Sequence, residues 1–385
     1  MDRAAPAAKP AASRMPLLDA VKGLACLLIV GHHLSRYGPL PEGAASLAPG
    51  VFDWLSQYGR LAVQVFLVLA GFLAAGSLAP DGTLRIDRPL VRVFQRYGRL
   101  VMPYLAALTF SVIVAALVRP WLDDEAVPGP PVMAQLIAHG LLLQDLLGFE
   151  ALSTGVWYVA IDFQLFVLAL AAIGLSEVLQ RRWAMRPETS RWLMAGLVFL
   201  LVVSSLAVFN RHAELDVTAF YFFGSYGLGM FVFWIGRATR QSTWGFGVLV
   251  LALLGAAALA LDWRSRIATA WVTALAVAVI QHLDGLEPSA WPAVGEPLVR
   301  LGRISYSLFL IHFPVLLLVS AVVSHFMRVT PWVGMSGLLA TMALSIGAAI
   351  LLYRFVESRP ATWRGVLGLF AGLLVCGALV SLISA

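Results

Sequence analysis

ISYSLFLIHFPVLLLVSAVVSHF, residues 304–326, runs from end to end without an Asp, Glu, Lys or Arg. A hydrocarbon layer of about 30 Å is crossed by about 20 helical residues, so this stretch is long enough for one transmembrane helix. Working outward, comparable apolar runs lie at 17–35, 61–79, 100–118, 155–176, 191–209, 218–236, 246–261, 267–283, 333–356 and 366–384. The chain has 385 residues, of which 60% are hydrophobic and only 12% charged. Soluble domains carry roughly a quarter charged residues. The mean hydropathy is +0.84. These properties exclude a soluble globular chain and predict an all-α, polytopic transmembrane bundle of about eleven spans, a ten-helix core plus one C-terminal helix. The expected organisation is a disordered cytoplasmic tail at 1–14, a membrane domain at 15–362 and the additional helix at 363–385.

The loops set the orientation. Most of the 27 basic residues fall in alternate inter-span segments, among them Arg181, Arg182, Arg186 and Arg191 in one loop. The positive-inside rule then puts the N-terminus in the cytoplasm. The segment MAQLIAHGLLLQDLL (133–147) is too short to span comfortably, and letting it cross would export that Arg-rich loop. It is expected to be re-entrant or interfacial, packed where irregular backbone is tolerated. The net charge of +6 is topological loop charge and does not point to nucleic acid. Cys26 and Cys376 both lie in apolar runs, which predicts neither a disulfide framework nor a metal site.

Chemistry in such a chain is sought where charge is expensive, at about 2.5–3.5 kcal/mol per ionisable side chain at a helix centre on insertion scales. PLLDAVKGLACLLIVGHHL (16–34) holds Asp19, Lys22, His32 and His33. At about 100° per residue, Lys22 and His33 project within about 20° of each other and Asp19 lies about 40° from His33, whereas His32 points about 80° away. Asp19, Lys22 and His33 thus share one face, with about 16 Å between the cation and the imidazole. The plain reading of Lys22 is a snorkelling cation neutralised by Asp19. The functional reading makes neutral His33 a buried general base.

DRPLVRVFQRYGRLVMPY (87–104) carries Arg88, Arg92, Arg96 and Arg99, spaced four, four and three apart. On a helix they form one guanidinium stripe at the cytoplasmic entry, and the planar fork of Arg suits phosphate oxygens. Against this stands ordinary positive-inside charge, most of all for Arg88 and Arg92. WYVAIDFQLF (157–166) sets Asp162 beside Trp157 and Tyr158, at the level expected for His33, where a carboxylate could hold the base. The alternative for Asp162 is a structural arginine partner. The 304–326 run adds Ser305, Tyr306, Ser307 and His312, with Arg303 before it. Glu357 in YRFVESRP reads as a local ion pair with Arg354 and Arg359.

In their order and spacing these segments resemble acyltransferase family 3, integral-membrane enzymes that acylate bacterial surface and secreted sugars. The resemblance covers roughly 15–360. It is carried by LDAVKGLACLLIVGHH with its Lys22-x10-His33 spacing, VFLVLAGFL (65–73), the Arg96-x-x-Arg99 pair followed by Leu100 and Pro103, WYVAIDFQLF, ISYSLFLIHFPV (304–315) and FVESRP (355–360). Ala70 replaces the usual serine, Asp162 a commoner glutamate, and Lys22 a common arginine. The resemblance implies transfer of an acyl group, acetyl by family habit, from cytoplasmic acyl-CoA to a hydroxyl of a carbohydrate or lipid-linked sugar. The setting is the bacterial inner membrane, among membrane lipid, and no metal is implied. His33 would be the base, with Asp162 orienting it and Lys22, Arg92, Arg96 and Arg99 binding the donor. Asp19, Trp157, Tyr306 and His312 would support them. The competing class is a proton-coupled transporter or solute channel using the same buried His, Lys and Asp residues. Consumption of acetyl-CoA, or binding of coenzyme A, separates the two.

Overall fold

The computed structural model describes residues 15–84, 88–283 and 295–384, and among them there are helices and no strands. In chain order the helices are α1 (Pro16–Leu34), α2 (Pro39–Ala44), α3 (Pro49–Tyr58), α4 (Ala62–Leu78), α5 (Pro89–Val118), α6 (Met133–Gly140), α7 (Trp157–Arg182) and α8 (Pro187–Ala207). They continue as α9 (Ala219–Ile235), α10 (Gln241–Leu261), α11 (Ser265–His282), α12 (Glu296–Arg303), α13 (Ser305–Phe326), α14 (Pro331–Leu352) and α15 (Trp363–Ser384). Each of the eleven expected spans falls on one of these helices. Nine stretches among the described residues are long and apolar enough to cross a membrane by themselves, and α9 and α11 are not among them. The tail expected at 1–14 lies outside the described residues.

Proline opens many of these helices, including α1, α5, α8 and α14. The first helical N–H lacks an intrahelical partner anyway, so the ring costs little there. The helix α5 begins eleven residues before the span expected at 100–118, because its arginines lower hydropathy without opposing helix formation. The segment 133–147 does not form one continuous helix. After the eight residues of α6 the chain turns back through Leu142, at φ 58, with Leu143 N–H donating to the Ala138 carbonyl.

The helix α13 is the most enclosed of the nine stretches, and α1, α4, α5 and α7 are also mostly buried, whereas α8, α10, α14 and α15 show most of their surface outward. With little hydrophobic drive between helices in lipid, small residues permit the close contacts. A Cβ on Gly71 of α4 would overlap the Tyr226 carbonyl of α9, and one on Gly302 of α12 would overlap the Asp19 carbonyl of α1. The second contact sets the register of α13 beside α1: Gly302 meets Asp19, the Cys26 thiol donates to the Ser305 carbonyl at 3.3 Å, and His312 meets His33.

Candidate active site

A cavity of about 1300 Å³ enters the bundle from the end where α1, α5 and α13 begin, here called the arginine face. Lys22, Arg92, Arg96, Arg99, Arg303 and Arg359 line it, with Asp19, Asp162 and Glu357 as its acids. The helical path of α5 puts Arg92, Arg96 and Arg99 on one side, as their spacing predicts. Two of the four expected donor-binding cations are already paired. Lys22 Nζ sits 3.3 Å from Asp19, and Arg96 sits 2.5 Å from Asp162. Arg92, Arg99, Arg303 and Arg359 make no ion pair among the described residues, so they present open guanidinium groups to the cavity. Arg303 enters the site because α12 breaks before α13, and Arg359 because the chain leaves α14 through a π-helical turn at Tyr353–Glu357. Sequence reading singled out neither as a ligand-binding group.

Glu357 corrects one expectation. It does not pair with Arg354 or Arg359; its carboxylate accepts from the Ser307 amide at 3.1 Å and the Ser307 hydroxyl at 2.5 Å, tying the π turn to the start of α13. Tyr306 lies on the cavity wall, and its hydroxyl donates to the Leu100 carbonyl at 2.8 Å, just before Pro103 in α5.

His33 lies at the other end of α1, 8% exposed, with its ring held inside the protein. Its Nδ1 is 2.7 Å from Nε2 of His312. The two ring planes lie within 9° and their centroids 4.9 Å apart, which suits an in-plane hydrogen bond rather than a face-to-face stack. His312 Nδ1 faces the Phe309 carbonyl at 2.8 Å and the Leu308 carbonyl at 3.2 Å. A carbonyl only accepts, so His312 Nδ1 carries the hydrogen, its Nε2 offers a lone pair, and His33 Nδ1 must donate. The remaining nitrogen of neutral His33, Nε2, is left as a basic lone pair. His32 is occupied differently: its Nδ1 donates to the Leu55 carbonyl of α3 at 3.0 Å.

Asp162 is therefore not the group that holds His33. The start of α7 meets His33 at Gly155, where an added Cβ would lie 3.6 Å from His33 Cε1 and 3.0 Å from the Phe309 ring. Gly155 has φ +86, a conformation that glycine adopts without strain. Asp162 is seven residues further along, about 10 Å deeper at 1.5 Å per residue, where Arg96 rises to meet it. Trp157 also turns away from His33, stacking on Phe222 of α9 at 5.5 Å. The cavity lining ends at Ile29, Phe66, Tyr158 and Phe309, one helical turn short of the histidine pair. Phe309 and Phe66 both pack edge-on against Tyr158, at 5.6 and 6.2 Å, forming an aromatic partition between cavity and base.

The site thus has two ends, a cationic mouth and a buried histidine pair, separated by one aromatic partition. A family model described as an acyltransferase domain matches residues 16–376, nearly the whole chain. The chain belongs to acyltransferase family 3. No curated protein matches it. Membership in an acyltransferase family weighs against the transporter reading, and the match extends into α15. Two features of this acyltransferase escaped sequence reading. The pairing of His33 with His312 depends on the register of α1 against α13, for which the only local signal is a histidine in the middle of an apolar run. Gly155 was readable only as a glycine ahead of the Trp157-Tyr158 pair.

Proposed function

We propose that the protein is a membrane-embedded O-acyltransferase. It takes an acyl group, acetyl in the simplest case, from acyl-CoA at the arginine face and passes it to a hydroxyl of a carbohydrate or lipid-linked sugar reaching His33 from the opposite face. In this reading the arginine face and the N-terminus are cytoplasmic, and the membrane is a bacterial inner membrane. The observation that carries it is the tautomer chain from the Phe309 carbonyl through His312 to His33, which leaves His33 Nε2 free to accept a proton.

The donor's phosphates engage Arg92, Arg99, Arg303 and Arg359, the cations of the mouth that make no ion pair among the described residues. Lys22 and Arg96 add positive potential while remaining bound to Asp19 and Asp162. The thioester arm follows α1 inward and displaces the Phe309 and Tyr158 side chains to reach His33. There Nε2 takes the acceptor's hydroxyl proton as its oxygen attacks the thioester carbonyl. Collapse of the tetrahedral adduct breaks the C–S bond, and the proton on His33 passes to the departing thiolate. Positioned general-base help of this kind is worth about 10²–10⁴-fold.

The test is turnover of acetyl-CoA by purified protein in lipid nanodiscs, with extracted surface glycan as acceptor. Release of free thiol coupled to ester formation on the glycan is expected. Absence of both coenzyme A binding and thiol release, from protein that is folded, would contradict the proposal.

A further inference from the structure

The lip of the cavity carries an aromatic cluster that the acyl-transfer step does not use. Trp363, the first residue of α15, lies within 18° of parallel to Tyr97 with ring centroids 6.2 Å apart, and Phe94 meets it edge-on at 5.9 Å. Trp363 and Phe94 both line the cavity, yet they are 51% and 55% exposed. Tyr97 is fixed behind the indole by its hydroxyl, which donates to the Gly140 carbonyl of α6 at 2.6 Å. Arg359, four residues before Trp363, and Arg92, two before Phe94, line the same cavity. An indole that served only to pack α15 against α5 would be covered, and one that served only as an interfacial anchor would not face a guanidinium-lined cavity. Flat aromatic surface beside unpaired guanidinium groups is what a nucleotide requires, a π-face for the base and forks for the phosphates.

We propose that Trp363 and Phe94 bind the purine ring of the donor's nucleotide, with Tyr97 holding the indole in place. The inference rests on the acyl-CoA reading above and adds a role for α15, which completes the donor site. The purine stacks at the lip, the phosphates meet the neighbouring arginines, and the thioester arm points inward along α1.

The experiment compares two donors on Trp363→Ala and Trp363→Phe: acetyl-CoA, and acetyl-4′-phosphopantetheine, which lacks the adenosine nucleotide. Trp363→Ala is expected to raise KM for acetyl-CoA on the order of tenfold, the contribution of one base–aromatic stack. It should leave KM for the truncated donor unchanged, and Trp363→Phe should recover most of the loss. Adenosine 3′,5′-bisphosphate should lose competitive inhibition in parallel. Equal KM changes for both donors, whether a common rise or none, would overturn the purine site. Should Trp363→Ala fail to accumulate, Phe94→Ala is read by the same criterion. Wild-type protein that turns over neither donor would overturn the donor reading itself, and the purine site with it.

Discussion

His33 donates from Nδ1 to the Nε2 lone pair of His312, which in the proposed step leaves its own Nε2 to take the acceptor's proton and hand it to the departing thiolate. His312 is a positioning residue in this scheme: it fixes the tautomer without touching substrate. His312→Ala should lower kcat about 10–100-fold, part of what positioned base catalysis supplies, with donor KM nearly unchanged. His312→Gln, whose amide oxygen can accept from His33, should recover part of the loss. Matched changes in both variants, or a change confined to KM, would argue against that role. The Arg96–Asp162 pair makes a different prediction. Asp162 is 4% exposed, so Arg96→Ala leaves a buried carboxylate uncompensated and should cost a few kcal/mol of stability. Adding Asp162→Asn to Arg96→Ala should restore much of the melting temperature in detergent, whereas Arg99→Ala should raise donor KM without lowering it. Depth explains why the sequence misassigned Asp162. Counting residues put it in the outer half of the membrane, but only the packing of α5 against α7 reveals which partner stands opposite.

Among the elements, α6 carries a buried histidine outside the spans, His139. His139 Nδ1 donates to the Gln135 carbonyl at 2.9 Å, and its Nε2 accepts from the Leu152 amide at 3.2 Å. Both nitrogens are committed in the neutral form, and burial pushes the pKa down to about 4. The unfolded chain, with a histidine near 6.5, therefore binds more protons between those values. His139 thus contributes stability that is complete above about pH 6.5 and is lost as pH falls toward 4. Asp145 in the same loop is shifted up by burial and gives stability an opposite slope above the ordinary carboxylate range. Thermal unfolding of wild type against His139→Gln isolates the histidine. The variant should lose less stability than wild type on going from pH 6.5 to 4, and parallel curves would contradict the assignment. That 133–147 is too short to span was legible from its length and polar residues; that its helix ends at Gly140 was not. The early start of α5 was not, because hydropathy registers the cost of arginine in lipid and not its good helix propensity. The separate helix α12 escaped notice for a related reason: in EPLVRLGR charge interrupts the apolar pattern, while its packing on α1 depends on Gly302.

For the molecule as a whole, the bundle was readable because a membrane leaves a helix few options, and each apolar run declares itself. The cationic mouth was half readable. Arg92 and Arg99 stand where their spacing put them, and Lys22 pairs with Asp19 as its plain reading had it, but Arg303 and Arg359 arrive from distant elements, and Asp162, read first as the holder of His33, takes Arg96, an arginine its alternative reading left unnamed. The two ends of the site lie on opposite faces, separated by Phe66, Tyr158 and Phe309, so the account requires that donor entry open this partition and bring the thioester to His33. The most direct measurement is single-turnover acyl transfer from radiolabelled acetyl-CoA to glycan in nanodiscs, comparing wild type, His33→Ala and His32→Ala at equal folded protein and saturating donor. The account predicts that His33→Ala binds coenzyme A with near wild-type affinity but transfers label at least 100-fold more slowly, while His32→Ala loses far less. Transfer by His33→Ala at the wild-type rate would contradict it.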